Sequence, residues 1–297
     1  MPTLLRFLLL PEKQVILRPD SAPTQGWFLK LVAQLDTYRD DHWATELHPG
    51  GTAPSARRGY SVSPLYAPEN LPLWEEMALS RLDTTRDRTA LLIHSGEPIA
   101  LRVAVSDDAR AAALCAALPS LELPRIGNTP CHLLALPNPN NSTNVLTATW
   151  ERLADAPPAR RFLLRFATPT AFFSQGDLLP RAEPERMWGS WLRVWQDLAG
   201  FVPPDSASVL EYLPRIAAYE LHTETARLKG GLFIGFVGEM ELSFRPDTPE
   251  PICRAAAAVA SIADFFGTGA KTGLGMGQTR LFLDSNPPVR RTINNPR

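Results

Sequence analysis

Twice along its 297 residues the chain changes hydrophobic period in one and the same order: strand, helix, strand, strand, helix, strand. Apolar and polar residues that alternate mark a strand, and apolar residues three or four apart mark one face of a helix. In the first pass Leu4 to Leu10 is a short apolar strand, and Trp27, Phe28, Leu31, Leu35 and Tyr38 fall at helical spacing. Gly59 to Tyr66 is β-rich, and Ile99, Leu101, Val103 and Val105 alternate with Arg102 and Ala104 as a half-buried strand. Asp107 to Leu118 is an Ala-rich helix, and Pro130 to Leu136 closes the set. A stretch rich in Pro, Asn, Ser and Thr, from Pro137 to Thr149, followed by Ala156-Pro157-Pro158, reads as linker.

The order then recurs. Arg161, Leu163 and Arg165 alternate with Phe162, Leu164 and Phe166, a strand with one Arg-bearing face. Trp188, Trp191, Leu192, Trp195 and Leu198 form a helical stripe whose spacing fits a core rather than a base-stacking platform. Ile216 to Leu221 and Leu232 to Phe244 are strands joined around Arg227-Leu228-Lys229-Gly230-Gly231. Ile252, Ala255, Ala256, Val259, Ile262, Ala263 and Phe266 line one amphipathic helix, and Gln278 to Asp284 is the last strand. The expected fold is α+β: two tandem ferredoxin-like (RRM-like, β-α-β-β-α-β) domains, 1–150 and 158–297.

Composition removes several classes. No apolar run approaches the roughly 18 residues of a membrane span. Arg6 interrupts the short apolar start, so a secretory signal is not expected. Three cysteines, Cys115, Cys131 and Cys253, offer no paired spacing for a disulfide framework or structural zinc, and a reducing cytoplasm is the expected location. A net charge of −1 gives no overall field to attract nucleic acid. Arg nevertheless dominates the cations: only Lys13, Lys30, Lys229 and Lys271 are lysines among 30 basic residues. Arg is the better fork for phosphate, although a GC-rich genome produces the same bias.

The sharpest local signal is GTGAKTGLGMGQ, Gly267 to Gln278, with five glycines between a helix and a strand. A phosphate loop needs Gly where Ala270 stands, and must follow a strand and open a helix; here the order is reversed. Two uses of the glycines remain: backbone amides that approach RNA phosphate at Gly269, Gly273 and Gly275 with Lys271 adding charge, or a turn that packs the two halves together.

This loop, with the helix PICRAAAAVASIADFF and the strand GGLFIGFVGEMELSF before it, resembles the C-terminal signature of the CRISPR precursor-crRNA processing endoribonucleases of the RAMP superfamily. FLLRFATPTAFFSQGDLLPRAEPERMWGSW (Phe162 to Trp191) resembles the first strand, turn and helix of that family's second domain, and LHPGGTAPSARRGYSVSPLY (Leu47 to Tyr66) the helix end and second strand of its first. The resemblance implies metal-independent cleavage within CRISPR repeats. The ribose 2′-hydroxyl attacks the adjacent phosphate and leaves a 2′,3′-cyclic phosphate and a 5′-hydroxyl. Such chemistry needs a base, an acid and positive charge on the phosphate, and no cofactor.

The resemblance places the catalytic imidazole at His48, at the end of a helical stretch, with His42 as runner-up. It places Tyr38 as the upstream tyrosine that positions the phosphate; Arg57 and Arg58, close in sequence to His48, are candidates for the phosphate-neutralising role that a Lys plays in some relatives. Ser61 is a candidate phosphate donor, and Arg161, Arg165, Arg227 and Lys229 candidate contacts to a repeat stem-loop. His94, His132 and His222 are expected to be structural or bland polar positions. The expected partners are repeat RNA and a CRISPR effector complex, with no membrane, for a monomer or homodimer. The competing readings are a non-catalytic crRNA-holding RAMP subunit and a nucleotide-binding metabolic protein.

Overall fold

A computed structural model of the chain describes residues 1–17, 22–39, 42–47, 59–65, 91–126, 128–135, 145–228 and 231–283. The first unit contains β1 (Thr3–Pro11), β2 (Val15–Leu17), α1 (Ala22–Arg39), α2 (Trp43–Leu47), β3 (Tyr60–Val62), β4 (Leu91–Ile93), β5 (Ile99–Val105), α3 (Asp108–Ala117), β6 (Cys131–Ala135) and β7 (Val145–Thr147). Its main sheet runs β3-β5-β1-β6, the strand order of a ferredoxin-like unit. Asp107 caps α3 by accepting from the Arg110 amide at 3.1 Å. Leu5, Phe7 and Leu9 of β1 and Leu101, Val103 and Val105 of β5 project to one side of the sheet, where Phe28, Leu31, Leu35 and Leu114 from α1 and α3 cover them.

After α4 (Trp150–Ala154) the second unit contains β8 (Arg161–Thr170), β9 (Phe172–Ser174), β10 (Asp177–Leu179), α5 (Pro184–Val194), α6 (Ser206–Val209), β11 (Arg215–Leu228), β12 (Gly231–Ser243), α7 (Glu250–Ala260), α8 (Ala263–Phe266) and β13 (Thr279–Leu283). The sheet order β11-β12-β8-β13 repeats the first arrangement. Trp188, Trp191 and Trp195 are fully buried. Their indole N–H groups donate to the carbonyls of Ala256 at 3.3 Å, Gly267 at 3.2 Å and Val259 at 3.2 Å. The tryptophan stripe is therefore core, and it ties α5 to α7 and to the turn after α8.

Three expectations change in the fold. β5 is buried along its whole length, not on one face. The reason is tertiary: the second unit packs on the sheet face opposite α1 and α3, and Leu4 and Ala104 belong to the second unit's core. The stretch read as linker contains β7, which pairs Thr3 with Thr147 and Leu5 with Val145. The single amphipathic helix is two, broken at Ser261, whose hydroxyl donates back to Ala258 O at 2.7 Å. Among the described residues no helix is long and apolar enough to cross a membrane.

Candidate functional site

The glycine-rich run leaves α8 and enters β13 through a chain of tight turns. Its left-handed positions are Gly267, Gly269, Lys271, Gly275 and Gly277. The Thr268 amide donates to Gly277 O at 2.8 Å, Ala270 to Ala171 O at 2.9 Å and Gly277 to Pro169 O at 3.0 Å, so the run folds back on itself and onto the end of β8. A Cβ at Gly269 would lie 2.4 Å from Ala171 O, and one at Gly277 2.1 Å from Thr268 O. Gly269, Gly273 and Gly275 are buried. Of the two uses open to these glycines, the geometry displays close packing, with Lys271 half-buried in the same loop. Its ammonium sits 4.6 Å from the Phe233 ring centre and 5.6 Å from that of Phe173.

The same loop closes the junction between the units. The turn Thr272–Leu274 lies against β3. Ser61 is 2% exposed; its hydroxyl donates to Thr272 O at 3.3 Å and accepts from Gln278 Nε2 at 3.0 Å. Gln278 Nε2 also lies 3.4 Å from Val62 O. Ser61 thus faces the junction, not solvent. Gln278, the polar end of the glycine run, is the junction residue that periodicity passes over, because a lone Gln in a loop carries no pattern. Arg102 adds a second tie, donating from Nη2 to Asp264 O at 3.1 Å.

Leu47 and Gly59, the described residues on either side of the 48–58 stretch, lie close together. Leu47, the buried last residue of α2, lies 3.6 Å from the position of a Cβ on Gly59, just before β3. Glu46 is bonded to Arg110 of α3, with Oε1 accepting from Nη2 at 3.1 Å. The two flanks of the segment are therefore held side by side, next to the glycine loop. His48, Arg57 and Arg58, in the 48–58 stretch of the sequence, fall outside the described residues, and so does Lys229. Tyr38 falls in the last turn of α1. His42 is exposed ahead of α2, with its carbonyl accepting from the Glu46 amide at 3.1 Å.

The open face of the second sheet is a set of ion pairs. Arg161 Nε is 3.4 Å from Glu241 Oε1 and Arg165 Nη2 is 2.6 Å from Glu239 Oε1, while between β13 and α8 Arg280 Nε is 3.5 Å from Asp264 Oδ1. His222 meets Glu224 at 3.0 Å, and on the other unit His132 meets Glu12 at 3.0 Å. Arg161 and Arg165 each carry a carboxylate that a phosphate would have to displace, whereas Arg227 is exposed near the end of the β11–β12 hairpin. All three cysteines are buried thiols. Burial pushes the Cys115 thiol up to about 11 and raises that of Cys131. Among the described residues no three potential metal ligands are gathered together.

Residues 164–279, from β8 to the start of β13, match the family model described as the CRISPR-associated endoribonuclease Cas6. The resemblance is to Cas6. Thermus thermophilus Cas6 in a product complex superposes with a TM-score of 0.72 at 24% identity, covering 95% of this chain and 100% of that one. A second Cas6 product complex gives a TM-score of 0.67 at 24% identity over 94% of this chain and 99% of its own. A RAMP protein described as binding different RNA substrates gives 0.58 at 12% identity over 95% and 100%. At these identities the structural likeness is one of fold, the tandem ferredoxin-like arrangement common to Cas6 and RAMP proteins. No curated protein sequence matches the chain significantly.

Proposed function

We propose that the chain is an endoribonuclease that cuts CRISPR precursor RNA within its repeats without a metal ion. The observation that carries this reading is the junction: the glycine loop of the Cas6-matched region is bonded to β3 through Ser61 and Gln278, and β3 is the strand into which the His48 segment leads. In this reading the His48 imidazole takes the proton of a ribose 2′-hydroxyl as its oxygen bonds to the adjacent phosphorus. The bond to the 5′-oxygen breaks, and that oxygen leaves with a proton. The products are a 2′,3′-cyclic phosphate and a 5′-hydroxyl. An imidazole suits the step because its ordinary pKa of about 6.5 lies near neutrality. Arg58 and Arg57 would neutralise charge on the phosphate as it builds, Tyr38 would hold the phosphate, and His42 is the second proton carrier. The tethered hydroxyl supplies the proximity that a separate nucleophile would lack.

The test is cleavage of the host's repeat RNA in EDTA, with the ends mapped. The expected result is one cut with a cyclic phosphate, and a loss of about 10²–10⁴-fold in rate for His48→Ala. Wild-type speed from that variant removes His48 from the role. Stoichiometric RNA binding with no cut in the wild type favours the crRNA-holding subunit instead.

A further inference from the structure

Lys271 stands where a lysine is disfavoured. Four of the five left-handed positions in the glycine run are glycines, and the fifth is Lys271, at φ +58°. An L side chain is crowded by its own backbone there, so a glycine would satisfy the turn better. A residue held in this region against its preference points to a use for its side chain. The loop fixes that residue's backbone: Leu274 N–H donates to Lys271 O at 2.9 Å, and Met276 N–H to the same oxygen at 3.3 Å.

The ammonium is set between two rings of different kinds. Phe233 is half-buried on β12 against Ala171, Leu228 and Met276, and the cation lies over its ring at 4.6 Å. Phe173 is 57% exposed, a large apolar ring left in solvent. It is carried on a stiff support, the β9–β10 hairpin, whose two-residue turn has Gln175 and Gly176 at φ +52° and +92°, the conformation that matches strand twist. Leu178 stands directly across from it. The result is a rigid, solvent-facing aromatic surface with a positive charge at its edge.

We propose that Phe173 and Lys271 form a seat for one unpaired nucleotide of the RNA: the base stacks on the exposed ring of Phe173 and a flanking phosphate meets the Lys271 ammonium. The inference rests on the proposed RNA substrate and adds what part of it is bound here. A flat ring takes any base face, so the seat selects for a nucleotide that is unstacked rather than for a particular base. The charge gives affinity without sequence. An acidic peptide would use the ammonium and leave the ring unused, so the ring favours nucleic acid.

The experiment measures binding of a short unstructured RNA strand, and of the same strand paired to its complement, across a salt series. Phe173→Ala is expected to weaken binding of the single strand by about 5- to 150-fold, the change that base stacking of about 1–3 kcal/mol converts to. It is expected to leave the slope of log K against log salt unchanged and the duplex less affected, with Phe173→Trp restoring affinity. Lys271→Gly is expected to reduce the single-strand slope by about 0.7 with no loss of melting temperature. Wild-type affinity in Phe173→Ala, equal losses on strand and duplex, or an unchanged slope in Lys271→Gly overturns the seat while RNA binding by the chain stands. A wild-type chain that binds neither RNA defeats the proposed function and the seat together.

Discussion

One substitution made at three glycines separates backbone strain from steric clash, and so measures how tightly the loop is packed. Gly277 sits at φ +67°, and a Cβ there would meet Thr268 O at 2.1 Å and Thr268 C at 3.1 Å. Gly176 sits at φ +92° with nothing within 4 Å, and Gly189, inside α5, has open space and no positive φ. Gly189→Ala should therefore stabilise by about 0.5–1 kcal/mol, the ordinary helix preference for Ala. Gly176→Ala should cost about 1–2 kcal/mol, the left-handed penalty alone. Gly277→Ala adds a collision with backbone that cannot rotate away. To open the contact, the two arms must part where Thr268 N–H donates to Gly277 O at 2.8 Å and Gly277 N–H to Pro169 O at 3.0 Å. Losing one of these buried bonds adds about 1–3 kcal/mol, for a total of about 2–5 kcal/mol. At about 2–4 °C per kcal/mol, the melting temperature should fall by roughly 4–20 °C in a calorimetric scan. Equal losses at Gly176 and Gly277 would refute the close approach.

Two further predictions concern buried polar groups. Arg6 is fully buried opposite Arg102, and among the described residues none of its three guanidinium nitrogens has a hydrogen-bond partner; Arg6→Met should raise stability by about 1–4 kcal/mol in urea denaturation, and a fall would show that the charge is compensated. Cys115 has its thiol pushed from the ordinary 9.0 to about 11. Below pH 9 the thiol is protonated both folded and unfolded, so it contributes no pH dependence. As pH rises from 9 to about 11 the unfolded thiol ionises first, and about 2–3 kcal/mol of stability should be lost; a Cys115→Ala variant whose urea midpoint falls as steeply over that range contradicts the assignment.

Local pattern determined the order of elements and which face of each is apolar. Strand and helix periods are properties of neighbouring residues, so the two ferredoxin-like passes and the tryptophan stripe of α5 were legible in the chain itself. The glycine run was legible as a turn, because only such a run supplies successive left-handed positions. The uses of those faces were decided by contacts between residues far apart. Arg165 reads as a bare cation until the β8–β12 register sets Glu239, 74 positions away, against it. Ser61 reads as a candidate phosphate donor until Gln278, 217 positions on, closes over it. β5 reads as half-buried because its Ala and Arg face looks polar, yet the second unit covers that face. Periodicity reports what one residue's neighbours along the chain are; burial and charge pairing depend on what arrives from elsewhere, and only the assembled sheets bring that.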